Sequence, residues 1–310
     1  MAAASSSRFA RGEALLRWIE AMPGCEHAVL LREAPEAGGL GVFAARDVPA
    51  GQVLMRCPLT LLIRASDAAP GASGRSGDFG AALDELGEAL PLSPRIRVQL
   101  LLLHERARHD EDDDGGDGGR DGSGDGGAGG GGGGGGGECG GVAGAGGGAG
   151  DGAAGPWAPY IASLPGRELV DALPISWTDA ELERRAGGTA LLDEVRAARA
   201  ELCALAAALA AAGFPRRAFG MERLLWAHAV YWSRAIAVPG AGVWSGSAAE
   251  CLVPLLDMCN HRAGATAELR ARGGFFELRA GRAVRQGEEV CINYGAKGEA
   301  PVVSFCFCLV

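Results

Sequence analysis

The sequence has no C-x-x-C pair, although nine cysteines are scattered along it. An odd count without paired spacing argues against a disulfide framework and fits a reducing, intracellular compartment. No apolar run approaches the roughly 20 residues that cross a bilayer. The leucines at 100–103 form a short patch among charges, so no membrane role is expected. There is no basic face either: 29 Lys and Arg stand against 38 Asp and Glu, a formal net charge of −9. That excludes nucleic acid held through its phosphates. No repeat of 20–50 residues is present, which excludes a solenoid. The first eleven residues carry Ala, Ser and two Arg but no acid, a composition that resembles the start of a transit peptide. A helix is expected by Gly12, so little is left to cleave. Cytoplasm or nucleus is the expected compartment, with chloroplast as the alternative.

What is present is a chain of 310 residues, 48% apolar, long enough for one sizeable core or for a core with a small extra domain. Glycine is in excess. Residues 110–155 hold 26 of the 52 glycines, including an unbroken run at 129–137. Residues 110–125 also hold eight acids against Arg120 alone, so the rest of the chain is nearly neutral. Such a segment buries too little to offset its ordering entropy, and a disordered loop is expected there. No strand precedes the glycine run and no Gly-Lys-Ser/Thr follows it, so it is not a phosphate cradle.

Hydrophobic spacing divides the remainder. Leu15, Leu16, Trp18 and Ile19 sit at helical spacing in residues 13–21, and Pro23-Gly24 ends the run. Short strands are predicted at 42–44, 53–55 and 59–63, punctuated by Gly38-Gly39 and Pro49-Ala50-Gly51. Residues 66–78 predict a loop and 96–108 a helix. Residues 178–212 predict one long helix or two, and 219–238 a further helix after the Gly213-Phe214-Pro215 break. Strands return from Cys251. Those at 267–271 and 275–280 flank Gly273-Gly274, a tight-hairpin turn, and 290–293 is the last. The expected class is α+β, with strands near both ends and helices between.

Polar groups concentrate inside apolar runs at three places: VPLLDMCNH at 253–261, EEVCINYG at 288–295, and Tyr231-Trp232-Ser233-Arg234. Taken singly, each residue also suits an ordinary role. Asn260 and Asp257 could cap a turn, and His261 could be a structural histidine. Tyr294 could be a strand-end aromatic, and Arg234 could pair with Glu222 or Glu250. No metal is expected. Cys306-x-Cys308 offers two of the about four ligands zinc requires, and His104 and His109 are not at i,i+4 spacing. No motif supports a cysteine nucleophile.

Together and in this order, the runs resemble those of SET-domain methyltransferases. L-V-P-L-x-D-M-x-N-H at 252–261, a hairpin, and G-E-E-V-x-I-x-Y-G at 287–295 carry the resemblance. Upstream, residues 39–47 (GLGVFAARD) resemble G-R-G-L-x-A-x-R-D-I. Residues 101–107 followed by Trp157-Ala158-Pro159-Tyr160 resemble a helix and its W-x-P-Y-L-x-x-L-P continuation, and 226–234 resembles W-A-x-x-x-x-x-x-R. The subgroup it resembles has a split SET domain with a helical insert, and includes the Rubisco large-subunit methyltransferase and the actin-histidine methyltransferase. The resemblance covers residues 12–297.

The resemblance implies a strand-rich SET (β-clip) core built from 25–65 and 245–297. A helical insert would occupy 80–240, with the 110–155 loop inside it. It implies an S-adenosyl-L-methionine-dependent protein-lysine N-methyltransferase, with a histidine methyltransferase or a catalytically silent, partner-binding SET remnant as alternatives. Asn260, His261, Arg234 and the turn Leu40-Gly41-Val42 would hold the cofactor, Tyr294 would orient the accepting amine, and the partner would be a protein presenting a lysine side chain. The sequence also departs from the pattern. Leu40 stands where the family has a basic residue, and residues 298–310 form an atypical apolar tail where a helix, closing aromatics and a C-terminal substrate-binding domain are expected.

Overall fold

The computed structural model describes residues 2–34, 39–70, 77–115, 155–239, 241 and 248–294. The chain opens with helix α1 (Ala2–Ala21), then β1 (Glu26–His27), β2 (Val29–Ala34), β3 (Gly39–Ala44) and β4 (Val53–Pro58). Helices follow: α2 (Gly77–Ala89), α3 (Pro94–Gly115), α4 (Ala158–Ser163), α5 (Arg167–Asp171), α6 (Asp179–Ala186), α7 (Ala190–Ala211), α8 (Arg216–Phe219) and α9 (Met221–Arg234). The chain then returns to strands β5 (Ile236–Pro239), β6 (Ala248–Cys251), β7 (Glu268–Arg272) and β8 (Phe275–Arg279).

Strands from both ends of the chain interleave in one antiparallel sheet of order β1-β4-β8-β7. Its centre sets Met55 opposite Leu278 and Cys57 opposite Phe276, and all four side chains are buried. β7 reads Glu-Leu-Arg-Ala-Arg with charges on the solvent face, the period-2 signature of a half-buried strand. It turns into β8 through Gly273 and Gly274, at φ 60° and 81°, the doubly left-handed backbone a type I′ turn requires. β2 pairs with β3, and β5 with β6. Single bridges stitch the pieces: Phe43 to Glu289, Val48 to Val284, Ile63 to Leu252, and a parallel one from His261 to Ile292.

The helical insert packs on this core through α3. Leu100, Leu101, Leu102 and Leu103 are all at or below 1% exposure, so α3 is enclosed on every side at this one turn, with charged residues before and after it, and sits centrally against α4 and α9. Each such leucine stabilises the fold by about 1.5–3 kcal/mol.

Several local expectations are corrected. Residues 59–61 form a 3-10 turn in place of a strand, because the partner strand begins at Phe275, opposite Pro58, and Leu59 N–H already meets the carbonyl of the hairpin turn at Gly274. The 66–78 loop starts as a 3-10 turn, closed by Arg64 on Asp67 at 2.9 Å. α9 stops at Arg234; Ile236 and Val238, whose apolar spacing continued the helical pattern, instead pair with Cys251 and Ala249. The last strand is reduced to bridges. Residues 178–212 take the two-helix form of the expectation, broken at Gly187-Gly188. Of the expected 110–155 loop, 110–115 are helical, with Asp110 paired to Arg223 at 2.8 Å, and 116–154 lie outside the described residues. So do Gly295 and the 298–310 tail.

Candidate active site

The segment 259–262 is the centre of the arrangement. It leaves a short turn, Leu256–Met258, and runs beside residues 290–292. Ile292 N–H donates to the Asn260 carbonyl at 3.0 Å, and Arg262 N–H donates to the Ile292 carbonyl at 3.1 Å. On the other side of 290–292 lies β3, whose Val42 carbonyl accepts from Val290 N–H at 2.8 Å. Three lengths of chain, from both ends of the sequence, thus lie side by side. Gly41 marks their closest approach: a Cβ there would stand 2.9 Å from Asn260 Nδ2 and 3.1 Å from Glu289 Oε1. Leu40 lies partly exposed beside it, while Val42 is fully buried and spends its side chain on the core.

Asn260 Nδ2 donates to Glu289 Oε1 at 2.8 Å, and Arg262 pairs with Glu289 Oε2 at 3.1 Å. Glu289, quoted in the motif but given no role there, therefore sets the side chain of Asn260. Tyr294 closes over the same segment. Its hydroxyl donates to the Cys259 carbonyl at 2.8 Å, its backbone N–H donates to His261 Nδ1 at 3.2 Å, and the two rings lie 5.1 Å apart. The neighbouring thiols are not nucleophiles. Burial pushes Cys291 up to about 11 and Cys259 well above its ordinary value, so both stay protonated.

Arg234, at the end of α9, reaches the turn from the helical side. Its Nη1 donates to the Asp257 carbonyl at 2.9 Å and lies 3.2 Å from Met258 Sδ. It pairs with Asp257, 3.9 Å from Oδ1, rather than with Glu222 or Glu250, which are held by Arg167 and Arg95. Asp257 is buried and also accepts a short hydrogen bond from the Tyr160 hydroxyl. Burial raises its carboxyl to about 6, with Arg234 and the Tyr160 hydroxyl opposing; Tyr160 is itself raised well above the usual phenol range by burial and the adjacent carboxylate. Just before this turn, Leu255 has φ 71°, a left-handed backbone that costs a non-glycine residue about 1–3 kcal/mol and persists only where its surroundings enforce it.

A separate cavity of about 920 Å³ lies in the helical insert, lined by Trp177, Trp226, Arg106 and Arg199 among others. None of Leu40, Gly41, Val42, Arg234, Asn260, His261 or Tyr294 lines it. Among the described residues no group of three or more His, Cys, Asp or Glu gathers as a metal site, and no helix is long and apolar enough to cross a membrane.

A family model of the SET domain matches residues 39–295. The chain belongs to the SET-domain family. Solved structures share the fold of this SET domain at low identity. The SET domain of LSMT bound to lysine and AdoHcy is 19% identical, with a TM-score of 0.62, covering 96% of this chain and 56% of that one. Rubisco LSMT bound to sinefungin and monomethyllysine is 19% identical at a TM-score of 0.63, covering 97% and 56%. Rubisco LSMT bound to AdoMet is 19% identical at 0.60, covering 96% and 55%. This SET domain therefore spans just over half the length of those proteins. No curated protein matches the sequence.

Proposed function

We propose that this SET domain is an S-adenosylmethionine-dependent protein-lysine N-methyltransferase. The observation that carries the reading is the meeting of Gly41 and Tyr294 with Asn260 and His261 around one segment, from parts of the chain some 250 residues apart. Structures with this fold have been solved with lysine or monomethyllysine beside AdoHcy or sinefungin, which supports the same pair of ligands here.

The residues present fit the cofactor. Gly41 offers backbone without a side chain. Arg234 Nε is buried without a hydrogen-bond partner, a donor that costs free energy until something accepts from it. Asn260, His261, Arg234 and Leu40-Gly41-Val42 would hold the group. When bound, it supplies a methyl carbon on a sulfonium, open to in-line displacement. The chain's own task is alignment, which contributes much of the rate in such a step. The accepting amine must be neutral, and an apolar passage lowers an ammonium pKa from about 10.4 by disfavouring charge. Tyr294 adds direction: a phenol that donates to the Cys259 carbonyl accepts from an amine N–H with its lone pairs, turning the amine's own pair toward the methyl group.

The test joins calorimetry with S-adenosylmethionine to methylation of cell extract with labelled cofactor. Lys297 is the chain's one lysine, so Lys297→Arg controls for self-labelling. Tyr294→Phe should lower methyl transfer by about 100-fold or more, with cofactor affinity within about threefold, under 1 kcal/mol. Equal loss of both overturns the role given to Tyr294. Binding with no labelled product on any protein sinks the enzymatic reading and leaves the silent, partner-binding one.

A further inference from the structure

We infer that Tyr160 and Asp257 are positioning residues, which act through Arg234 to hold the 255–261 segment where the cofactor requires it; this rests on the function proposed above. Two helices from separate parts of the fold converge on Asp257. Tyr160 comes from α4 of the insert and is fully buried; its hydroxyl donates to Asp257 Oδ2. α4 is itself pinned to the SET core, since Trp157 Nε1 just before it donates to the Leu61 carbonyl at 2.8 Å. Arg234 comes from the end of α9, donates to the main-chain carbonyl of Asp257 and lies 3.9 Å from its Oδ1, an ion pair without a hydrogen bond. Asp257 belongs to the turn that follows the left-handed Leu255.

The chain after the turn carries the site. The Cys259 carbonyl, two residues on, accepts from Tyr294, and the Asn260 carbonyl accepts from Ile292. A carboxylate this deeply buried gains nothing for a core that an apolar side chain would not fill at lower desolvation cost. What it adds is direction: it draws Tyr160 and Arg234 to one point, and so ties the strained turn to two separate helices of the insert, α4 and α9. Oδ1 of Asp257 is already without a hydrogen-bond partner, so losing the Tyr160 hydroxyl strips Oδ2 of its donor as well, a loss that a buried group escapes only by moving or by protonating. Either response loosens the turn and displaces Cys259 and Asn260 from Tyr294 and Ile292. Neither changes the contacts of the β4/β8 ladder.

The experiment uses the full chain, with Tyr160→Phe as the first variant because the ring still fills its site. Asp257→Asn, of matched size, is the second and gives the same readouts should the first fail to fold. Hydrogen exchange followed by mass spectrometry is measured without cofactor, and S-adenosylhomocysteine is titrated by calorimetry. The expected result is about tenfold faster exchange at Cys259, Arg262 and Ile292, the free energy of one hydrogen bond, with the β4/β8 amides unchanged. Cofactor affinity should weaken by about tenfold or more, and kcat at saturating cofactor should fall by roughly threefold or more, because Tyr294 loses its anchor on the Cys259 carbonyl. Exchange that rises equally everywhere, or affinity that matches the wild type, overturns the inference and leaves a merely structural network. A wild-type chain that binds no cofactor overturns the methyltransferase reading itself and takes the inference with it. Wild-type binding with unchanged variants overturns only the inference.

Discussion

The Cβ that Gly41 lacks would stand 2.9 Å from Asn260 Nδ2 and 3.0 Å from Ala34 Cβ. Neither neighbour gives way easily, since Asn260 is held by Glu289 and Ala34 is buried in the paired strand. Gly41→Ala should therefore cost about 1–3 kcal/mol, the range for overpacking a close contact. It should also weaken cofactor binding by at least about tenfold, because the shift falls on Asn260. Urea unfolding and calorimetry check the two effects, and a variant with wild-type stability and affinity would show that the three strands can part without consequence. At this scale the meeting of the candidate residues, though not their roles, was legible. Motif order singled out Gly41, Arg234, Asn260, His261 and Tyr294, and the structure brings them to the same stretch of chain. The parts that escaped are the partners. Tyr160 and Asp257 both stood inside quoted motifs, yet their hydrogen bond joins residues 97 apart in sequence, and nothing local marks a buried acid's donor. Glu289 was hidden similarly, as one of two adjacent acids of which only this one turns toward Asn260.

Elements were legible where local chemistry agreed with the final packing. The β7/β8 hairpin is one such case, because alternating side chains and two glycines point to the same turn. Gly274→Ala places a Cβ at φ 81° and should cost about 1–2 kcal/mol, the penalty of a left-handed residue. The urea midpoint should fall at constant slope, and an unchanged midpoint would mean that the turn has another conformation open to it. Elements were illegible where the decision belongs to distant chain. The apolar spacing of Ile236 and Val238 continues that of α9, and only pairing with β6 makes them a strand. Residues 290–293 look like a strand by composition, but their neighbours are single stretches on each side, so bridges form without a ladder. α6 and α7 could not be divided from composition alone. Thr178 and Glu181 form a capping box and Gly188 takes φ 74°, signals that are clear once the break is known.

For the whole molecule, two buried groups and one half-buried histidine decide how stability follows pH. His104 stacks on Phe79 at 4.2 Å and is lowered to about 4 by burial, with Arg108 adding to the shift. His228, on α9, is lowered to about 4 by burial alone, and its Nε2 has no hydrogen-bond partner. Both are neutral in the fold yet take a proton near 6.5 once unfolded, so the stability they carry is complete above 6.5 and is lost as pH falls toward 4. Asp257 works the other way. Its carboxyl titrates near 6 in the fold and near 3.8 in the unfolded chain, so the fold binds the extra proton and gains stability as pH falls through that window. Each shift of two units or more is worth about 3 kcal/mol, and two histidines outweigh one aspartate. Glu181 and Glu288, held low by Thr178 and Arg282, lose their contribution in the same direction at still lower pH. The urea midpoint is therefore expected to fall steadily between pH 7 and 4.5. His228→Leu, which fills the same buried space without a titrating group, should flatten that fall. Asp257→Asn should steepen it, since the opposing gain is gone. A midpoint that rises on acidification in the wild type would mean that Asp257 dominates, and would place the strongest pH dependence of this protein in the turn that leads to Asn260.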